Sequence, residues 1–226
     1  MNAYVEARRE LGLTAEVERR LLTWLAARVP RSIGPDHLTL LGFLSLAGGG
    51  AAYALASHDL RWLHGVNLGL VFNWLGDSLD GTLARFRRQP RPRYGFYVDH
   101  FVDALGAVAL LTGLAASGLA SGAVAAALLV AYLLVSVEIA LAAHVTGVFR
   151  ISRGPVGGTE LRMLLLGANL AAMAWPRIRL AGFEVGFFDL VAGPAALGLI
   201  WLAIGSGLRT ARRLDDEDRS RGPQRG

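Results

Sequence analysis

GDSLDGTLARFRRQPRPRYGFYVDHFVD, residues 76–103, sets Asp77, Asp80, Asp99 and Asp103 beside two of the most apolar segments of the chain. On helices, Asp77 and Asp80 stand at i and i+3 and share a face with Ala84. Asp99 and Asp103 stand at i and i+4, with Gly95 one turn earlier on the same stripe. The basic run between the pairs is short, so the two helices are expected to be antiparallel neighbours whose carboxylates converge. Four carboxylates brought together repel strongly, and bound cations remove the conflict. Oxygen ligands without His or Cys suit a hard ion, Mg²⁺ or Mn²⁺, and magnesium is usually completed by substrate phosphates and water. The stretch therefore predicts a cation site that takes a phosphorylated substrate. Gly81 and Gly95 leave room for a ligand or a helix to approach the backbone, and Arg85, one turn beyond Gly81, can neutralise phosphate. Pairing with Arg85, Arg87, Arg88, Arg91 and Arg93 accounts for any one of these acids, but poorly for four at helical spacing.

The flanking sequence places these acids at a membrane. From Ala104 to Val137 there is no charged residue, a run too long for one span of about 20 residues. The small, polar stretch Ser117–Gly122 divides it into a helical hairpin with arms at 95–116 and 122–148. Further spans are expected at Leu38–Ser57, His64–Phe86, Thr159–Trp175 and Phe187–Gly207. The expected fold is all-α and integral to the membrane, with six transmembrane helices preceded by an N-terminal amphipathic interfacial helix. Composition agrees. The 226 residues are 53% hydrophobic and only 18% charged, with mean hydropathy +0.41, whereas soluble domains carry about a quarter charged residues.

All 23 basic residues are arginine, and with six spans twenty of them fall on one side, leaving Arg61, Arg177 and Arg179 on the other. The positive-inside rule then puts both termini, and the aspartates, on the cytoplasmic side of the cytoplasmic membrane. The net charge of +5 faces anionic lipid in this reading, and no motif points to nucleic acid. With no cysteine, disulfides and thiol catalysis are excluded, as fits a site facing the reducing cytoplasm.

Three segments follow. Residues 1–33 are an N-terminal cytoplasmic segment, without a signal peptide's apolar core. Within it, Val17, Leu21, Trp24, Leu25 and Val29 form the stripe of the interfacial helix, which Thr14 can cap and whose positive end Glu16 and Glu18 suit. Residues 34–210 hold the six spans and the site, and residues 211–226, polar and aperiodic, are expected to be a disordered tail.

The pattern Asp77-x-x-Asp80-Gly81-x-x-Ala84-Arg85, followed by Gly95-x-x-x-Asp99-x-x-x-Asp103, resembles the signature of the CDP-alcohol phosphotransferase (CDP-alcohol phosphatidyltransferase) family. All eight specified residues are present over 27 positions. One departure is visible: where family members often carry P-N-x-x-T, this chain has Pro35-Asp36-His37-Leu38-Thr39. The resemblance implies a transferase of phospholipid biosynthesis. Its donor is a CDP-alcohol, with CDP-diacylglycerol the leading choice, held by its diphosphate on two Mg²⁺ ions. The hydroxyl of a second alcohol attacks the β-phosphorus, and CMP leaves; at least one of the two substrates is a lipid. It further implies Asp77, Asp80 and Asp99 as metal ligands, Asp103 as general base that also touches the second metal, and Gly81, Ala84, Arg85 and Gly95 as contacts of the CDP moiety. Homodimers are common in the family, and the glycine- and alanine-rich spans are compatible with one.

The acceptor is read from FRISRGPVGGTELR, residues 149–162. Arg150, Arg153 and Arg162 can bind an acceptor phosphate, although positive-inside anchoring explains each of them as well. Thr159 and Glu160 can cap a helix start or bind a cationic or hydroxylated head group. The pair is similar to that of members handling aminoalcohols, which keeps transfer from a CDP-aminoalcohol to diacylglycerol as an alternative. Glu138 is a further membrane acid, expected to pair with arginine or His144 or to meet substrate. The competing class is an ion- or proton-coupled transporter. The clustering of the acids on the arginine-rich side weighs against it.

Overall fold

The computed structural model describes residues 15–146, 158–180 and 182–221. Among them are seven helices: α1 (Ala15–Ala26), α2 (Pro35–Leu55), α3 (Trp62–Phe86), α4 (Pro92–Ser117), α5 (Gly122–Thr146), α6 (Gly158–Ala174) and α7 (Phe187–Arg221). A small antiparallel hairpin, β1 (Arg177–Leu180) with β2 (Phe183–Gly186), joins α6 to α7. Four helices, α2, α4, α5 and α7, are long and apolar enough to cross a membrane. α6, with 17 residues, reaches only about 26 Å at 1.5 Å per residue. α3 has the length, but Asn67, Asn73, Asp77, Asp80 and Arg85 lower its hydropathy.

The break between α4 and α5 falls in the expected stretch. Ser117 Oγ donates to the Leu114 carbonyl and accepts from the Leu119 amide. Gly118 then adopts the left-handed conformation (φ 68°) that ends a helix without a Cβ clash. The β-hairpin was not anticipated. RIRL and FEVG pair with Arg179 opposite Glu184, their side chains bonded at 3.1 Å, and Gly182 at φ 88° allows the tight reversal.

α2 is the axis of the site half of the molecule. It packs along both α3 and α4, while α3 and α4 scarcely touch each other. The expectation that the two acid-bearing helices are direct neighbours is therefore corrected. Small residues let α2 come close on both sides. A methyl group at Gly76 of α3 would lie 2.5 Å from the Leu38 carbonyl oxygen, and one at Gly113 of α4 would lie 1.9 Å from that of Gly50. Such backbone contact is open only to residues without a side chain. The main apolar core joins Tyr53, Leu63, Val66 and Leu114 to Ala172 of α6 and Phe188 of α7. Within it, Tyr53 donates to Asn169 Oδ1 at 2.6 Å and Asn169 donates to Asn67 at 2.7 Å, which satisfies the buried polar groups that pin α6 to α2 and α3.

α1 docks at the other end, where Leu22 and Ala26 pack against Leu38, Leu79 and Leu83. Glu18 accepts from Trp74 Nε1 at 3.1 Å, and Arg87 donates to the carbonyls of Val29, Pro30 and Ile33. The apolar stripe read from the sequence thus divides. Leu25 and Val29 join the packed side, whereas Val17, Leu21 and Trp24 remain exposed. Thr14, the expected cap, lies outside the described residues.

The tail needs a correction. α7 runs without a break to Arg221, so the segment expected to be disordered from 211 is helical to that point. Pairs at i and i+4, Arg213–Glu217 and Asp215–Arg219, replace the missing apolar face.

Candidate active site

A pocket at the α1 end of the bundle is lined by Thr39, Gly42 and Phe43 of α2, Asn73, Asp77 and Asp80 of α3, and Asp99, Val102 and Asp103 of α4. Residues 76–103 supply all four acids, and α2 supplies the third wall. α3 and α4 make little direct contact, and the two acid pairs come together in the lining of this pocket beside α2.

Each described carboxylate contact has a local cause. Asp80, buried to 6% exposure, accepts from Thr39 Oγ1 at 2.6 Å through one oxygen and from the Gly81 amide through the other. Asp77 accepts from Arg162 Nη2 at 2.7 Å. That arginine reaches in from the second turn of α6, and its Nε donates to Asn73 Oδ1, also at 2.7 Å. Asn73 completes the bridge by donating to the Gly42 carbonyl of α2.

The donor chemistry, four carboxylates with hydroxyl and amide oxygens nearby and neither His nor Cys in the lining, fits a hard divalent cation. In the conformation described, no three such side chains among the described residues form a group that could hold a metal ion. Asp77 and Asp80 are instead engaged by Arg162 and Thr39. The cavity is also small, about 10 Å³, the room of about one water-sized group.

The remaining site candidates spread around this centre. Gly81, Ala84 and Arg85 lie farther along α3 and Gly95 one turn before Asp99, none of them in the pocket lining. Around Gly95 the space within 4 Å of an added methyl is open. Arg85 is exposed and donates to Thr82. Of the acceptor candidates, Arg162 reaches the pocket residues, and Thr159 sits half-buried in the first turn of α6. Glu160 belongs to the same turn, but its side chain is outside the described residues, as are Arg150 and Arg153 altogether. Glu138 accepts from Thr210 at 3.1 Å and so ties α5 to α7 away from the pocket. Asp36 is an exposed ion-pair partner of Arg91, which joins the start of α2 to the α3–α4 loop.

Sequence reasoning passed over Asn73 and Thr39. Asn73 lies one turn before Asp77 on the acid-bearing face, and Thr39 ends the run beginning at Pro35. Spacing carried a signal for both, but their partners lie on other helices.

The sequence model of the CDP-alcohol phosphatidyltransferase family matches residues 33–205, from just before α2 into α7. No curated protein matches the chain. The family match spans well over half of the 226 residues, and the chain belongs to this family.

Proposed function

We propose that this member of the CDP-alcohol phosphatidyltransferase family uses the aspartate pocket to move a substituted phosphate from CDP-diacylglycerol to an alcohol that carries an anionic group. Family membership makes it a membrane phosphotransferase of phospholipid synthesis; the donor, the acceptor, the cations and the residue roles are our reading. The observation that carries it is that all four signature aspartates line one pocket.

In this reading Asp77, Asp80, Asp99 and Asp103 hold two Mg²⁺ ions, which when bound supply positive charge to the donor diphosphate and to the leaving group. The acceptor hydroxyl attacks the β-phosphorus. A new P–O bond forms as the bond to CMP breaks, and the hydroxyl proton passes to the Asp103 carboxylate. Thr39 and the Gly81 amide hold the Asp80 carboxylate in place through the bonds described above. Gly81, Ala84, Arg85 and Gly95 border the space for the cytidine nucleotide outside the pocket.

Six membrane crossings follow if α3 and α6 complete the four long apolar helices, with α3 shielded by α2 and α6. The arginine distribution then sets the pocket toward the cytoplasm. The exposed Val17, Leu21 and Trp24 of α1 would rest in the same interface, beside the pocket that receives a lipid donor.

Arg162 supports an anionic acceptor over an aminoalcohol, because a guanidinium beside the pocket favours phosphate and disfavours a cation. The test is CMP release from CDP-diacylglycerol with glycerol phosphate, inositol phosphate, inositol and serine, beside CDP-choline and CDP-ethanolamine with diacylglycerol. Release that requires a phosphorylated acceptor is expected. Release confined to a CDP-aminoalcohol with diacylglycerol would contradict the proposal.

A further inference from the structure

Arg162 is held more firmly than a positive-inside anchor requires. Its Nε donates to Asn73 Oδ1 and its Nη2 to Asp77 Oδ2, both at 2.7 Å, so one guanidinium spans two residues a helical turn apart on α3. The side chain is only 17% exposed. Asn73 is itself fixed, 3% exposed and donating to the Gly42 carbonyl at 3.2 Å. The chain Gly42–Asn73–Arg162–Asp77 therefore crosses α2, α3 and α6, and it ends on an acid of the pocket.

Asp77 Oδ2 cannot bond this guanidinium and coordinate a cation through the same lone pair. A positive charge at hydrogen-bond distance also opposes the entry of a second one. Asn73 carries no charge, and its bond to the arginine is not in competition with a cation.

We propose that Arg162 is the exchangeable counter-ion of Asp77: a divalent cation entering the pocket takes its place on the carboxylate, while Asn73 keeps hold of Nε. The released Nη groups remain beside the pocket, available to an anionic group of the acceptor. This rests on the reading of the aspartates as cation ligands, and it adds an order to that reading. Cation binding frees the arginine that the acceptor needs, so the two ligands reinforce each other, and by linkage the effect is reciprocal.

The experiment is Mn²⁺ binding to the purified full-length protein without nucleotide or lipid substrate, followed by the electron paramagnetic resonance signal of the free ion. Wild type, Arg162→Gln, Arg162→Lys and Asp80→Asn are compared, each checked for a cooperative thermal transition. Arg162→Gln should bind Mn²⁺ about tenfold more tightly than wild type, the order expected when a charge-assisted bond no longer competes. Arg162→Lys keeps the charge but not the two-pronged fork, and it should fall between them; it carries the test if the glutamine variant does not fold. Inorganic phosphate, as a probe of the anion site, should tighten Mn²⁺ binding in wild type and not in Arg162→Gln.

Unchanged or weaker Mn²⁺ binding in folded Arg162 variants, with Asp80→Asn still impaired, would overturn the exchange and leave the cation site standing. Wild-type binding no better than that of Asp80→Asn would overturn the cation reading, and the exchange with it.

Discussion

Asp80 depends on a residue from another helix. Its two oxygens are taken by Thr39 Oγ1 and the Gly81 amide, so the side chain is oriented before any ligand arrives. Outer contacts of this kind commonly alter metal affinity by about 10–100-fold when removed. Thr39→Val keeps the shape and removes the hydroxyl. It should raise the Mg²⁺ concentration for half-maximal CMP release by about tenfold, whereas Thr39→Ser should stay near wild type. Equal Mg²⁺ dependence in all three proteins would remove Thr39 from the site. At this scale the four aspartates were readable, because spacing alone puts them on two helix faces. Arg162 was readable as a residue but not in its bond to Asp77, which depends on where α6 lies.

Among the helices, α2 decides the geometry. Its sequence contains no signature acid, yet it separates α3 from α4 and lines the pocket with Thr39, Gly42 and Phe43. The seam depends on missing side chains. In Gly113→Ala the new methyl would meet the Gly50 carbonyl oxygen at 1.9 Å, and backbone cannot step aside as a flexible side chain can. This variant should lose about 2–3 kcal/mol of stability. Gly48→Ala, on the same α2 run but with nothing within 4 Å, should be neutral or gain up to about 1 kcal/mol from helix propensity. Denaturant unfolding in detergent compares the two, and equal losses would contradict the seam. The glycines of GGGAA announced close packing, but not which helix each one would meet. The break at Ser117–Gly122 was legible because polarity and glycine coincide there. The β-hairpin was missed because an apolar chain directs attention to long helical runs, and RIRL and FEVG alternate over only four residues each. The extension of α7 was missed because RRLDDEDR has no apolar face; its helix carries i, i+4 charge pairs, Arg213–Glu217 and Asp215–Arg219, on opposite sides.

For the whole molecule, α1 and the aspartate pocket lie at the same end of the bundle, where Leu22 and Ala26 pack on Leu38, Leu79 and Leu83. With the pocket toward the cytoplasm as proposed, a lipid-linked donor would meet the acids at the membrane interface. Residues 147–157, which contain Arg150 and Arg153, lie outside the described structure; Arg162 of α6 bonds the pocket residues Asn73 and Asp77. The most direct test of the central claim is CMP release by purified protein from CDP-diacylglycerol and a phosphorylated alcohol, with Mg²⁺ and with chelator, for wild type and Asp103→Asn. Release is expected to need both Mg²⁺ and acceptor and to fall by at least about 10²-fold in the variant, the usual scale for a lost general base. Release that persists in chelator, or that Asp103→Asn leaves unchanged, would contradict the claim.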